Sequence, residues 1–414
     1  MRRDVVWNLV PVVLLAVVGL TLNFVIAGHW GAEALGVFNL VTTAMFSAAV
    51  LGAGGLQFAV LKSVAEDPDD RDRVAAVVVG ALIPTVVLAA LTTVLFVAIR
   101  GPLADLVDKP AVPAGVLWVA PGLFAFAINK TLLGVVNGLR RMRAFAIYTS
   151  LRYLLIAVGL AVAIATDLPA ERLPVIWTIS ECGLLLVLVF ELLATVSLRR
   201  SRGWIAWART HLDYGARSVL STLVWEINSK VDIWVVGIVM PAHELGIYSL
   251  ASVVYEGALQ LPVVVQNNVN PLIAKHVAAG ELVEVEGIVR RSRRWFVPAM
   301  IAACAIGAVL YPFVIPWLTG KPEFGDGALA FAILMGGIAL SAAYLPFNQA
   351  LLMAGKPGWH SFYIVAMVAI AVSALAILTP RYGIDGAAVG TAIGLVGSAV
   401  LLRIMVRARV GIRI

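Results

Sequence analysis

Apolar stretches long enough to cross a bilayer follow one another along this chain almost without a gap. A hydrocarbon core of ~30 Å needs about 20 residues of helix. Twelve such stretches can be marked, at residues 5 to 27, 36 to 60, 74 to 99, 113 to 138, 145 to 166, 174 to 197, 215 to 239, 247 to 273, 295 to 318, 328 to 353, 361 to 379 and 384 to 406. Backbone groups inside hydrocarbon must be bonded within their own segment, so the pattern predicts an all-α integral membrane protein. Usage agrees: 61% of residues are hydrophobic and only 13% charged, with a mean hydropathy of +0.96, outside the soluble range. The first stretch follows Arg2 and Arg3 but is too long for a signal peptide and lacks a small-residue cleavage site, so it is expected to be retained. Cys182 and Cys304 both fall in predicted helices, which leaves no disulfide framework, no metal site and no cofactor to expect.

Lys and Arg are retained on the cytoplasmic side of a membrane protein. With the N-terminus inside, 22 of the 31 cations fall on cytoplasmic segments, 5 (Arg100, Lys109, Arg172, Lys321 and Arg381) on the opposite side and 4 within helices. Both termini are therefore predicted to be cytoplasmic. The net charge of +7 follows from this asymmetry and gives no reason to expect nucleic acid as a partner.

A repeat divides the chain. AEALGVFNL (Ala32 to Leu40) aligns with AHELGIYSL (Ala242 to Leu250) at an offset of 210, and NGLRRMRAF (Asn137 to Phe145) falls opposite AGKPGWHSF (Ala354 to Phe362) at an offset of 217. Six helices per half give both repeats the same orientation, hence two six-helix bundles with a cavity between them. The expected domains are a first bundle at 1–198, a basic cytoplasmic linker at 199–214 with Trp204 and Trp207 suited to headgroups, and a second bundle at 215–414.

The turn leading into LGIYSLA (Leu245 to Ala251) resembles the link between the seventh and eighth helices of oligosaccharide flippases in the multidrug/oligosaccharidyl-lipid/polysaccharide exporter (MOP) superfamily. RYGIDGAAVGTA (Arg381 to Ala392) is similar to the turn into their last helix, and GAEALGVFNL to their first outer turn. The place in the first half that matches RYGIDGAAVGTA, Leu173 to Gly183, departs from that pattern. The resemblance implies a MATE-like fold and alternating access. It also implies a function: translocation of a polyprenyl-diphosphate-linked oligosaccharide from the cytoplasmic to the outer leaflet of the plasma (inner) membrane for cell-surface polysaccharide biosynthesis. An ion-coupled multidrug exporter of the same superfamily is the alternative, although the first helix has no acid after Asp4 to meet cationic drugs. An enzyme is not expected, because every outer loop is too short to carry catalytic groups, and the protein is expected to act as a monomer.

Nine ionisable residues fall inside the apolar stretches: Lys130, Arg152, Glu181, Glu191, Arg217, Glu226, Lys230, Asp232 and Glu256. At roughly 2.5 to 3.5 kcal/mol each near the bilayer centre, they must pair, face water or reach an interface. The stretch WEINSKVDIWVVG (Trp225 to Gly237) holds three of them. On one continuous helix Glu226 and Lys230 share a face, and Asn228 and Asp232 another. Lys130, Lys230, Arg152 and Arg217 are the cations available to an anionic diphosphate, with snorkelling to the inner headgroups as the competing role for Arg152 and Arg217. Glu191 is expected to pair with Lys130 or Arg152. Glu226, Asp232 and Glu256 are candidates for coupling to H+ or Na+. Asn228, Gln260, Gln266 and Asn267 offer uncharged contacts to sugar hydroxyls. The expected partners are thus a lipid-linked oligosaccharide, the bilayer and a coupling ion. Gly386, Gly390 and Gly394 mark a smooth face for close helix packing.

Overall fold

The structure, a computed structural model, describes residues 2–196 and 201–412, and among these the side chains of all but residues 2–13, 16, 220, 221, 224, 225, 227 and 228. Among the described residues the regular structure is entirely helical, and nine helices are long and apolar enough to cross a membrane. The chain is a multi-pass membrane protein.

Two of its helices are too long to be single rods. α1 (Arg2–Ala53) and the last helix, α14 (Pro357–Val410), run 52 and 54 residues, about 80 Å at 1.5 Å per residue and far beyond one hydrocarbon core. Each breaks at a glycine with positive φ, Gly31 at 86° and Gly383 at 61°, a backbone that side chains with a Cβ rarely adopt. Both breaks fall in the turns singled out from the sequence. Across Gly31, Asn39 Nδ2 donates to Asn23 Oδ1 at 3.0 Å. Across Gly383, Gly390 packs on Leu375 and Gly394 on Ala371, where added Cβ atoms would lie only 2.9 and 2.8 Å from those residues. Partners converging symmetrically on the glycine define antiparallel helical hairpins, and the glycine stripe is the packing face that the sequence suggested.

Compactness divides the chain into one unit of Met1–Trp30 with Val37–Lys230, and another of Gly31–Gly36 with Val231–Ile414. In the first unit α2 (Leu56–Glu66), α3 (Arg71–Ala98), α5 (Val112–Gly138), α6 (Met142–Ala165), α7 (Val175–Thr195) and α8 (Trp204–Ser229) join α1, with the short α4 (Arg100–Val107) between α3 and α5. α5 is the central rod, buried on nearly every side, and small residues let its neighbours approach. A Cβ on Gly122 would lie 2.9 Å from the Thr178 backbone, and one on Gly134 2.7 Å from the Gln57 carbonyl.

The residues expected to begin a separate bundle at 215 belong by compactness to the first unit. Their helix starts at Trp204, inside the segment expected to be a linker, and packs on α3 and α2. Glycines permit it: a Cβ on Gly80 would come within 2.8 Å of the Trp204 carbonyl, and one on Gly215 would collide with the Gly54 carbonyl. Trp207 lies under the Arg73 guanidinium, 5.2 Å from it, and His211 is fully buried.

The second unit comprises α9 (Val231–Val239), α10 (Ala242–Ala278), α11 (Leu282–Thr319), α12 (Ala328–Ser341), α13 (Ala350–Met353) and α14. Within it Gly31–Gly36 meets its own repeat counterpart. A Cβ on Gly36 would collide with the Ala242 carbonyl, and one on Gly246 with the Ala32 carbonyl. The positions exchanged are repeat equivalents, so the motif AxxxG makes one symmetric close crossing. Glu323 Oε1 completes it by accepting from the Ala32 backbone N–H at 3.1 Å, capping a helix start.

Candidate functional site

In the first unit the intramembrane charges converge on α5, α6 and α7. Arg152 Nε lies 2.7 Å from Glu181 Oε1, and its Nη2 donates to Oε2 at 3.3 Å. Glu181 has no exposed surface. Asn129, equally buried, donates Nδ2 to the Glu181 carboxylate and to the Glu181 carbonyl, both at 2.9 Å. Ser180 Oγ donates to the Arg152 carbonyl at 2.9 Å, so the three helices are stitched at one level. The Arg152 guanidinium and the Lys130 ammonium each lie 5.0 Å from the centroid of the Phe126 ring, a cation–π distance. Phe46 in turn packs on Phe126 at 5.2 Å between centroids. Glu226, on α8, is close enough for its charge to be felt at Lys130.

Glu191 does not pair with Lys130 or Arg152. It forms an ion pair with Arg141 and accepts from the Tyr148 hydroxyl at 2.9 Å. The reason is antiparallel register between α6 and α7: eleven residues forward from Arg141 to Arg152 correspond to ten residues back from Glu191 to Glu181. Arg141, read from sequence as part of a loop, takes the outlying acid and leaves the deeper one to Arg152. Arg217 is exposed and pairs with Asp213 one turn away at 2.8 Å, the geometry of an interfacial residue.

The stretch WEINSKVDIWVVG is not one helix. α8 ends at Ser229, α9 starts at Val231, and Lys230 stands at the break, half-buried. The faces assigned from a continuous helical period therefore do not carry from Glu226 to Asp232. Asp232 belongs to the second unit, where it is 7% exposed and accepts from Tyr248 at 3.1 Å and Ser252 at 3.0 Å. Tyr248 is also 3.3 Å from Thr391. Two hydroxyls thus donate to one buried carboxylate, and the Thr391 hydroxyl lies behind Tyr248. Glu256 is half-buried one turn beyond Ser252.

Of the residues expected to meet sugar, Gln266 is buried and donates to Asn348 at 2.7 Å, while Gln260 and Asn267 are exposed. Asn228 lies outside the described side chains. Asn270 donates to Gln349 at 2.9 Å beside the Gln266 bond. These amides hold a break that sequence reading missed: α12 stops at Ser341, a 3-10 turn covers Leu345–Phe347, and α13 resumes at Ala350. Pro346 was the available signal, since proline removes a donor and clashes with the preceding turn. A cavity of about 190 Å³ lies beside it, lined by Gln266, Asn348, Tyr344, Tyr363, Ser398 and apolar side chains.

This polytopic helical protein holds a half-buried pair of cations in one unit and a hydroxyl-held carboxylate in the other, and its fold is that of the MOP superfamily. It superposes at a TM-score of 0.80 on an inward-facing multidrug resistance transporter of the MATE family, with 15% identity over 99% of this chain and 98% of that one. The lipid II flippase MurJ, in an inward closed conformation, gives 0.80 at 13% identity over 97% and 87%. A MOP superfamily transporter from Pyrococcus furiosus gives 0.63 at 15% identity over 98% and 94%. At these identities the likeness is one of fold. The polysaccharide biosynthesis protein profile matches residues 1–275, and the chain belongs to that family. It is also 22% identical to the probable low-salt glycan biosynthesis flippase Agl15 of Haloferax volcanii, over 91% of this chain and 77% of that protein.

Proposed function

We propose that this protein is a flippase that carries a polyprenyl-diphosphate-linked oligosaccharide from the cytoplasmic to the outer leaflet of the plasma membrane by alternating access, supplying cell-surface polysaccharide biosynthesis. Lys130 and Arg152 over one aromatic ring carry the reading. A retained cation deep in an apolar unit is costly, and a diphosphate is the part of such a lipid that repays it with charge-assisted hydrogen bonds. The prenyl tail can stay in lipid throughout. Lys230, at the break between α8 and α9, is the further cation on the path, with Glu226 as the anion that substrate displaces. The buried amides near the tenth helix are suited to sugar hydroxyls.

Direction needs a second solute, and Asp232 is the coupling residue in this proposal. A carboxylate flanked by two hydroxyl donors can hold a proton or a sodium ion and reorganise its donors when the ion leaves. Similarity to a flippase and to MOP carriers supports transport rather than catalysis as the protein's work. Breaks at Gly31 and Gly383, with α8 and α9 counted as the seventh crossing, support twelve crossings. With twelve crossings, the excess of Lys and Arg supports cytoplasmic termini.

Deletion of the gene tests this directly. Lipid-linked glycan is expected to accumulate on the inner leaflet while its synthesis continues, and the intact gene restores export. Normal display of the glycan in the deletion strain would exclude the proposal.

A further inference from the structure

We infer that Glu181 and Asn129 are positioning residues that fix the Arg152 guanidinium over the Phe126 ring beside Lys130, setting the spacing of the two cations before an anionic headgroup arrives. The inference rests on the reading of Lys130 and Arg152 as headgroup cations, and it adds how that pair is held.

Arginine on a helix ordinarily samples many rotamers, and one facing a polar path gains most for a ligand when it is held in advance. Arg152 is held twice. Glu181 faces its Nε–Nη2 edge: Nη2 donates to Oε2 at 3.3 Å, and Nε lies within ion-pair distance of Oε1 at 2.7 Å. Asn129 then fixes Glu181, bridging its carboxylate and its backbone carbonyl with a single amide group at 2.9 Å each. Asn129 precedes Lys130 on α5, so one helix turn delivers both the clamp and the second cation. Phe126, one turn earlier, supplies the ring on which the two cations rest.

Exposure divides the cluster into fixed and replaceable parts. Glu181 and Asn129 have no exposed surface, whereas Arg152, Lys130 and Glu226 are half-buried. Two cations and two anions leave the cluster near neutrality without substrate. An arriving anion can replace Glu226 at Lys130, but it cannot replace Glu181 without stranding a carboxylate away from water.

Charge alone and positioning predict opposite signs for one substitution. Glu181→Gln removes a negative charge next to two cations, so simple electrostatics tightens anion binding. Positioning weakens it, because a neutral amide no longer holds the guanidinium edge. The probe is geranyl diphosphate, titrated calorimetrically into purified full-length protein in detergent, with each variant's fold checked by its melting temperature. We expect Glu181→Gln to bind about tenfold and Asn129→Ala about threefold more weakly than wild type. Asn129→Ala keeps every charge in place and carries the test should Glu181→Gln not fold. Binding by either folded variant as tight as, or tighter than, that of wild type overturns the positioning role. Failure of the wild-type protein to bind the probe, or indifference of its affinity to Lys130→Gln, would instead refute the headgroup reading beneath it.

Discussion

The fourth apolar stretch carries Asn129 and Lys130 in an unbroken helix, whereas its repeat counterpart carries Pro346 and Phe347 where the α-helix ends at Ser341 and resumes at Ala350. Around the first, Arg152 and Glu181 form a buried ion pair. Around the second, Gln266 with Asn348 and Asn270 with Gln349 form neutral amide bonds. The opposite asymmetry holds earlier in each half. Leu22 and Phe38 are buried and apolar in the first repeat, and their counterparts Asp232 and Tyr248 bond to each other in the second. What the repeats do share is a backbone device, the reciprocal crossing of Gly36 and Gly246 against Ala242 and Ala32. Fold requirements are thus met by glycines common to both halves, while the deep charged groups appear in one half at a time. The first unit holds the Lys130 and Arg152 cluster and the second the Asp232 carboxylate, which fits the proposed division between substrate and coupling ion.

The shared device is the most fragile part. Gly246→Ala places a Cβ against the Ala32 carbonyl, a backbone atom that cannot step aside, and is expected to cost at least about 3 kcal/mol and most of the folded yield. Gly257→Ala on the same helix meets nothing within 4 Å and serves as the control, with yield unchanged or raised. Equal yields of the two variants would show that the crossing is not tight, and purification in mild detergent gives the comparison.

The carboxylate of the second unit is expected to matter less for folding than for driving force. Tyr248→Phe deletes one hydrogen-bond donor to Asp232 and is predicted to cost about 1 kcal/mol. Asp232→Asn is predicted to fold but to remove the response of export to an imposed sodium or proton gradient in membrane vesicles. Gradient-dependent export in Asp232→Asn would move the coupling site elsewhere.

A smaller effect belongs to His211, ahead of the seventh apolar stretch. Burial against α3 pushes its imidazole below the ordinary pKa of 6.5, with the Gly80 backbone acting the other way. The unfolded chain therefore binds more protons below pH 6.5, so the stability from keeping His211 neutral is full above that pH and declines below it. The change is expected to stay under about 1 kcal/mol at pH 6, roughly 2 °C in melting temperature. Melting curves between pH 7.5 and 5.5 check it: the slope should flatten in His211→Gln, and an unchanged slope would assign the acid sensitivity to another group.

Much of this architecture was legible because a bilayer imposes a length and a polarity on every crossing. The hairpin turns at Gly31 and Gly383 and the glycine face of α14 were equally readable, since each needs a residue without a Cβ. The deep charges stood out against an apolar background, as Lys130, Arg152 and Asp232 show. Their partners did not. Asn129 in an apolar helix gives no periodic signal, and pairing Glu181 with Arg152 required knowing that Arg141 already occupies Glu191. The break at Lys230 has neither proline nor glycine to announce it, so one continuous helix was the natural expectation. The attachment of α8 to the first unit depends on the close approaches at Gly55 and Gly80, which only tertiary packing reveals.

In this proposal the charge found only in the first repeat binds the substrate headgroup. Proteoliposomes holding the purified protein and a fluorescent short-chain polyprenyl-diphosphate-linked sugar measure it most directly, through the rate at which label crosses to the opposite leaflet. Lys130→Gln is predicted to reduce that rate to the leak of protein-free vesicles while melting like wild type, Lys130→Arg to keep part of it, and Phe347→Leu at the repeat counterpart to remain within about twofold. Wild-type flipping by Lys130→Gln would contradict the account.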